Sequence, residues 1–365
     1  MKKFPPVFLF SICFCAALAG ENRARNIILF LGDAGGIPTL NAAGIYGHDR
    51  PLGLYIQHMD HFALSDTSSL DNWVTDSAAG MTAIVTGRKT NNYMLSLLPA
   101  DAGSAPRPLK TILEYAEERG LATGVITNMP VWDATPAACY AHVASRKQTG
   151  DIFQQLLHPR FGDGPDVVVG ADKKGIVEAA KKMGVDADRA LEAAHYRVFD
   201  SPTQITADAG RVAAIYDGGD FVPAPVVGNA LKILSRNSSG FFLMVEWDMH
   251  TDNLEKGLKR ALVMDDLIRH TAEIAPPDTL IVYAADHSFD LRLRGGKKGE
   301  ALAAQLPPPG AQPPAHPVIR VDGSHTGEEI LVAAQGPGAE RFHGFIPNTD
   351  IFRLMMAAYG WKESP

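Results

Sequence analysis

Carboxylates, imidazoles and one serine recur in this chain where apolar runs end, and side chains of these types could hold two or three divalent cations around a nucleophile. NIILFLGD ends at Asp33, ATGVITNMPVWDAT carries Asp133 and Thr135, FFLMVEWDMH carries Glu246, Asp248 and His250, and TLIVYAADH ends at Asp286 and His287. In GSHTGEEILVAA, His325 precedes the apolar run. A sixth stretch, TDSAAGMTAIVTGRKT, supplies Ser77. Each taken alone has a plain reading: Asp33 a turn residue, Asp286-His287 a hydrogen-bonded pair, His325 loop polarity, Asp76 and Ser77 a helix cap. Five convergent edges together are harder to explain that way. Imidazole combined with carboxylate suits zinc, whereas the oxygen-only set of Asp133, Thr135 and Glu246 suits magnesium. A serine alkoxide is inaccessible near neutral pH unless a helix N-terminus and a bound metal stabilise it, which is the chemistry this set could supply.

Side chains so distant in sequence meet only if the strands before them end at one edge of an open sheet, where ligand crevices of α/β folds lie. Alternation of buried strands with helices predicts such a fold, a three-layer α/β/α sandwich around a large, mostly parallel sheet. A strand from Asn26, a turn at Gly35 and Gly36 and a helix running to Tyr46 open it. A helix is expected over Val74–Gly87, with Thr75 and Asp76 as caps, and an amphipathic one over Leu109–Arg119. Strands are expected at Ala122–Thr127, Val282–His287 and Ile330–Ala334. Between about 148 and 237 the motif rhythm weakens; helices over Lys174–Met183 and Pro202–Ile215 and a short strand at Asp166–Val169 are predicted there. The proline-dense Leu306–Pro317 reads as a surface loop.

The chain has 365 residues, 46% of them hydrophobic and 21% charged, enough for a large core. A net charge of −7 without basic runs excludes a general nucleic-acid surface, so an anionic substrate must be held by local cations. Lys2 and Lys3, the apolar Val7–Leu18 and Ala17-Leu18-Ala19 read as a secretory signal, residues 1–19, with 20–365 as one domain in the periplasm or medium. The apolar stretch is too short for a membrane anchor. Cleavage would remove Cys13 and Cys15, leaving Cys139 alone and no intrachain disulfide.

GDAGG, TDSAAGMTAIVTGRKT, DATPAACYAHVASRK, VEWDMH, ADHS and HTGEE stand in the order of the motif blocks of the alkaline phosphatase family, and the resemblance spans nearly the whole mature chain. It implies hydrolysis of phosphate monoesters through a phosphoserine, with two zinc ions and one magnesium. By motif, Ser77 resembles the nucleophile and Arg146 the arginine that grips two phosphate oxygens, a task suited to a planar guanidinium. Asp33, Asp286 and His287 resemble ligands of the zinc beside the serine. Asp33 with Asp133, Thr135 and Glu246 resembles the magnesium set, and His325 resembles a ligand of the second zinc. One segment departs: the family spaces its Glu, Asp and His more widely than Glu246, Asp248 and His250. On the spacing to Met264-Asp265, His250 is taken as the family histidine and Asp248 as its carboxylate, with Asp252 the competitor. Family members are often dimers. The wider superfamily also cleaves phosphodiesters, phosphonates and sulfate esters, and a metal-binding protein that has lost catalysis is the non-enzymatic alternative.

Overall fold

The computed structural model describes residues 23–101, 104–308, 311 and 314–363; the expected signal segment lies outside them. The described strands are β1 (Asn26–Asp33), β2 (His61–Ser65), β3 (Leu97–Leu98), β4 (Arg107–Pro108), β5 (Ala122–Pro130), β6 (Val167–Ala171), β7 (Arg197–Phe199), β8 (Val212–Tyr216), β9 (Phe241–Asp248), β10 (Thr279–Ala285), β11 (Ser288–Leu293), β12 (Ile319–Thr326), β13 (Ile330–Gln335) and β14 (Gly344–Ile346). Ten of them form one sheet in the order β14-β2-β13-β10-β1-β9-β5-β6-β8-β7, with β13 alone running against its neighbours. A hairpin of β11 and β12 stands apart from that sheet.

The central strand shows why the sheet needs cover on both faces. Every residue of β1 is buried, and successive side chains go to opposite sides. Ile27, Leu29 and Leu31 pack in one apolar cluster with Met81, Ile84 and Val85 of the helix Ser77–Thr86. Ile28 and Phe30 pack in the other with Leu258, Ala261 and Met264 of the helix Leu254–Ile274. These are the outer layers of a three-layer α/β/α sandwich.

The motif-poor stretch from about 148 to 237, where one short strand is expected, supplies three strands to one edge of the sheet, β6, β8 and β7. The helix expected over Pro202–Ile215 is not there: a three-residue 3-10 turn at Pro202–Gln204 is followed by β8, buried throughout. A short continuous apolar run such as VAAIY is compatible with a buried strand or a buried helix, and pairing with β6 on one side and β7 on the other decides for the strand. The helix Lys173–Lys182 matches expectation, and the one expected over Leu109–Arg119 is shorter, Ile112–Glu118, because Thr111 and Glu114 close a capping box at its start.

Parallel register brings the chemistry to one edge. Asp33 pairs with Asp248 across β1 and β9, Leu31 with Glu246, and Gly32 with Ala285, the residue before Asp286. Thr127 of β5 sits opposite Glu246.

Candidate metal centre and nucleophile

Ser77 opens its helix, with Asp76 as the N-cap accepting from the Ala79 amide at 3.2 Å. The serine hydroxyl is therefore set among unpaired backbone N–H groups at the positive end of the helix dipole. It lies 3.3 Å from His287 Nε2. Two carboxylates crowd the same nitrogen, Asp33 Oδ1 at 3.3 Å and Asp286 Oδ2 at 3.5 Å. Both of those oxygens are buried and accept no well-aligned hydrogen bond. A histidine acting as base for a serine needs its orienting carboxylate on the far nitrogen. Here His287 Nδ1 faces the Ser288 carbonyl at 3.1 Å, so the arrangement is no triad.

All three site histidines repeat that pattern. His325 Nδ1 meets the Thr75 carbonyl at 3.2 Å, and His250 Nδ1 meets Asp248 Oδ1 at 2.7 Å. Carbonyl and carboxylate oxygens only accept, so each Nδ1 carries a proton, which leaves Nε2 as the nitrogen able to ligate a metal. His250 Nε2 and His325 Nε2 then face one another at 3.3 Å. Two nitrogens on a tetrahedral zinc with ordinary Zn–N lengths stand about 3.3 Å apart, the same separation. Ligating atoms of His250, His287 and His325 lie within 4.8 Å of one another, as do those of Asp33, Asp286 and His287, and of Asp33, Asp248 and His250. The donor set and the orphaned carboxylate oxygens fit divalent cations.

Next to these clusters lies a more strictly oxygen-lined corner. Glu246, 1% exposed, accepts from the Thr127 hydroxyl at 2.5 Å, and Thr135 is equally buried. Asp133 caps the short helix Ala134–Ala137. Arg146 bridges the two halves, with Nη1 3.1 Å from Asp76 and Nη2 2.5 Å from Asp133.

Burial disfavours charge on every one of these groups, and their neighbours decide the outcome. Asp286 is pushed up to about 6 by burial and by Asp33, and Glu246 is raised well above the carboxylate range by burial, Asp33 and Asp133. In Asp33 burial is outweighed by His250, His287 and Arg146, which hold it below the usual range. His250 is lifted to about 9 because Asp33 and Asp248 overcome its burial, whereas burial and His287 bring His325 down to about 4. The buried carboxylates together are a demand for positive charge.

The sequence residues thus gather in one cluster, except Asp252. That side chain is exposed and lines a separate cavity of about 600 Å³ with Tyr46, Leu306 and Ile319. Three participants had no sequence signal: Asn128, Asp220 and Arg260, which enclose Asp248. The β11–β12 hairpin was also missed. It pairs Phe289 with His325 and sets the His325 ring 3.6 Å from that of His287.

A family model described as alkaline phosphatase matches residues 24–165 and 223–307, more than half of the chain. The chain belongs to the alkaline phosphatase family. It is accordingly an alkaline phosphatase-like hydrolase, a phosphomonoesterase by family. The alkaline phosphatase of Escherichia fergusonii is 28% identical over 94% of this chain and 88% of its own. Streptomycin-6-phosphate phosphatase of Streptomyces griseus is 28% identical over 94% and 92%. Among solved structures, the alkaline phosphatase of the Antarctic bacterium TAB5 superposes with a TM-score of 0.76 at 22% identity, covering 93% of this chain and 99% of that one. The Thermus thermophilus alkaline phosphatase gives 0.77 at 23%, covering 93% and 92%. A variant of the TAB5 enzyme is described with magnesium bound. The family match skips 166–222, the segment holding β6, β7, β8 and Asp220, and ends before His325.

Proposed function

We propose that this phosphatase transfers the phosphoryl group of a monoester to Ser77 and then to water, on a centre of two zinc ions and one magnesium. The observation that carries the reading is the crowding of Ser77 Oγ, Asp33 Oδ1 and Asp286 Oδ2 around His287 Nε2, three oxygens and a nitrogen converging on one point. Asp33, Asp286 and His287 would hold one zinc and His250 with His325 the other. Asp33, Asp133, Thr135 and Glu246 would hold magnesium. Bound there, the cations supply a lowered pKa for an attacking hydroxyl and charge to offset the phosphoryl oxygens.

The chain's own contribution is positioning. The first turn of the Ser77–Thr86 helix presents Oγ and its backbone N–H groups toward the phosphorus. Oγ attacks in line, the P–O bond to the alcohol breaks, and the product is an ester of Ser77. Water then attacks the same phosphorus and Oγ leaves. Arg146 would exchange its hold on Asp76 and Asp133 for two free phosphoryl oxygens, a bidentate contact its planar fork favours. We further propose export with removal of residues 1–19, and residues 20–365 as one catalytic domain. Among the described residues no helix is long and apolar enough to cross a membrane.

Ser77→Ala tests the nucleophile. Turnover of an aryl phosphate should fall by roughly 10³-fold or more while zinc content and unfolding midpoint stay near wild type, since other residues hold the metals. A phosphorylated Ser77 peptide should be recoverable from the wild-type enzyme quenched in acid and should be absent from the variant. Wild-type rates in Ser77→Ala would exclude the mechanism.

A further inference from the structure

Asp248 was expected to bind the second zinc directly, but both of its oxygens are already engaged. Oδ1 accepts from the His250 amide at 3.0 Å and from His250 Nδ1 at 2.7 Å, and Oδ2 is held by Arg260 Nη1. Arg260 in turn grips both oxygens of Asp220, at 2.7 and 2.6 Å. Asp220 Oδ1 also accepts from Asn128 Nδ2 at 2.9 Å, and Asn128 Oδ1 accepts from the Asp248 amide at 2.9 Å. Four residues from β5, β9, the helix Leu254–Ile274 and the loop after β8 thus close a ring of hydrogen bonds around one carboxylate.

The two sides of His250 differ accordingly. Nδ1 is turned to Asp248, and Nε2 is turned to His325 and the cation site. Arg260 and Asp248 are each 8% exposed, so their charges neutralise one another in a poorly solvated place where separating them is costly. Swinging Asp248 onto a metal would forfeit the bond to His250 and leave Arg260 facing Asp220 alone. A single residue, Trp247, separates Glu246 from Asp248, a closer spacing than the family resemblance implies, and it leaves little slack for such a swing.

We infer that Asp248 is a positioning residue rather than a metal ligand: locked by Arg260, Asp220 and Asn128, it fixes the ring orientation and the Nδ1–H tautomer of His250, and the second zinc is held through His250 and His325 without it. This rests on the two-zinc reading above. One member of the lock, Asp220, lies in the segment that the family model skips. A carboxylate that orients a ligating histidine raises the basicity of the ring, and removing such a partner typically weakens metal affinity about 10–100-fold without removing the site.

The test is Asp248→Asn, which keeps an oxygen acceptor for His250 Nδ1–H and removes the charge. Zinc should be counted in the purified protein, zinc affinity measured by competition with a chelator, and the visible spectrum of the cobalt(II)-substituted protein recorded. The expected result is an unchanged zinc count, an affinity lower by about 10–100-fold at one site, and a cobalt spectrum that keeps the wild-type donor set. Loss of one zinc equivalent, or a changed cobalt spectrum, would make Asp248 a ligand and overturn the inference. Asp220→Asn, outside reach of any metal, should lower affinity at the same site with the count intact; an unchanged affinity would remove the ring from the account. His250→Ala separates this from the parent reading: full retention of both zinc ions there would refute the second site itself, whatever Asp248 does.

Discussion

Gly80, in the second turn of the Ser77–Thr86 helix, gives a sharp opposition between local and tertiary effects. By helix propensity alone, Gly80→Ala should stabilise by roughly 1 kcal/mol. The structure reverses that. A Cβ at Gly80 would lie 2.7 Å from the Asp286 carbonyl oxygen and 3.1 Å from Asp286 Cβ, where ordinary contact begins at 3.4 Å. The obstacle is backbone of a buried strand end, not the flexible tip of a side chain, so helix and strand must separate by several tenths of an ångström. Overpacking of this kind costs about 1–3 kcal/mol. The net expectation is destabilisation by up to about 2 kcal/mol, too small to unfold the protein.

Activity should suffer more than stability. The helix that moves carries Ser77, and the strand end it moves from carries Asp286 and His287, so the 3.3 Å spacing between Ser77 Oγ and His287 Nε2 is what opens. Misplacement approaching 1 Å costs on the order of 100-fold in rate. We expect kcat/KM on an aryl phosphate, with zinc and magnesium saturating, to fall by about 10–100-fold. Urea unfolding should show the variant still more than nine-tenths folded under assay conditions. A Gly80→Ala protein more stable than wild type with undiminished kcat/KM would show that the helix does not seat against Asp286 as described.

Two further outcomes follow from single contacts. Arg146→Ala should raise the inhibition constant of inorganic phosphate by about 10–100-fold, the worth of a charge-assisted pair of hydrogen bonds, with metal content unchanged; an unaltered constant would place the guanidinium away from the substrate. Glu117, away from the metal centre, is pushed up to about 7 by burial, with Asp166 and Asp163 adding to the effect, from an ordinary 4.5. Between those values the folded chain keeps a proton that the unfolded chain has lost, so stability falls as pH rises through this window and levels off above it. Glu117→Gln cannot titrate, and wild type should lose at most about 3 kcal/mol relative to it between pH 4.5 and 7. Parallel pH profiles of the urea midpoint for the two proteins would refute the assignment.

How much of this could be read in advance follows from which signals are local. Asp33, Asp286 and His287 each end an apolar run, so the strand that positions them is written directly before them. The same holds for Glu246 and Asp248 on β9. Ser77 is marked by its own cap. His325 was legible only as a polar residue ahead of β13, because the hairpin that carries it alternates poorly: β12 is half exposed along IRVDGSHT. The segment 202–215 was misread since an unbroken apolar run carries no period to distinguish helix from strand. Asn128, Arg260 and Asp220 had no signal at all. They come from a strand interior, a helix face and a loop, and nothing in any one of those stretches says that the other two are near.

That blind spot matters because it hides the sign of the charge balance. Asp33, Asp286 and Glu246 are buried carboxylates whose nearby protein cations, among the described residues, are His287, His250 and an Arg146 already paired with Asp76 and Asp133, and burial lifts Asp286 and Glu246 well out of their usual range. A site in that condition either protonates or takes up cations. Asp248, the direct register partner of Asp33 across β1 and β9, is the exception, because a resident guanidinium already answers it. The sequence shows three or four equivalent carboxylates at one sheet edge. The fold divides them into those left open for metal and one already paired, and it does so through Arg260, a residue ten positions beyond His250 that no motif marks. Which carboxylate binds metal is therefore decided less by the ligand motif than by where the chain places its own positive charge.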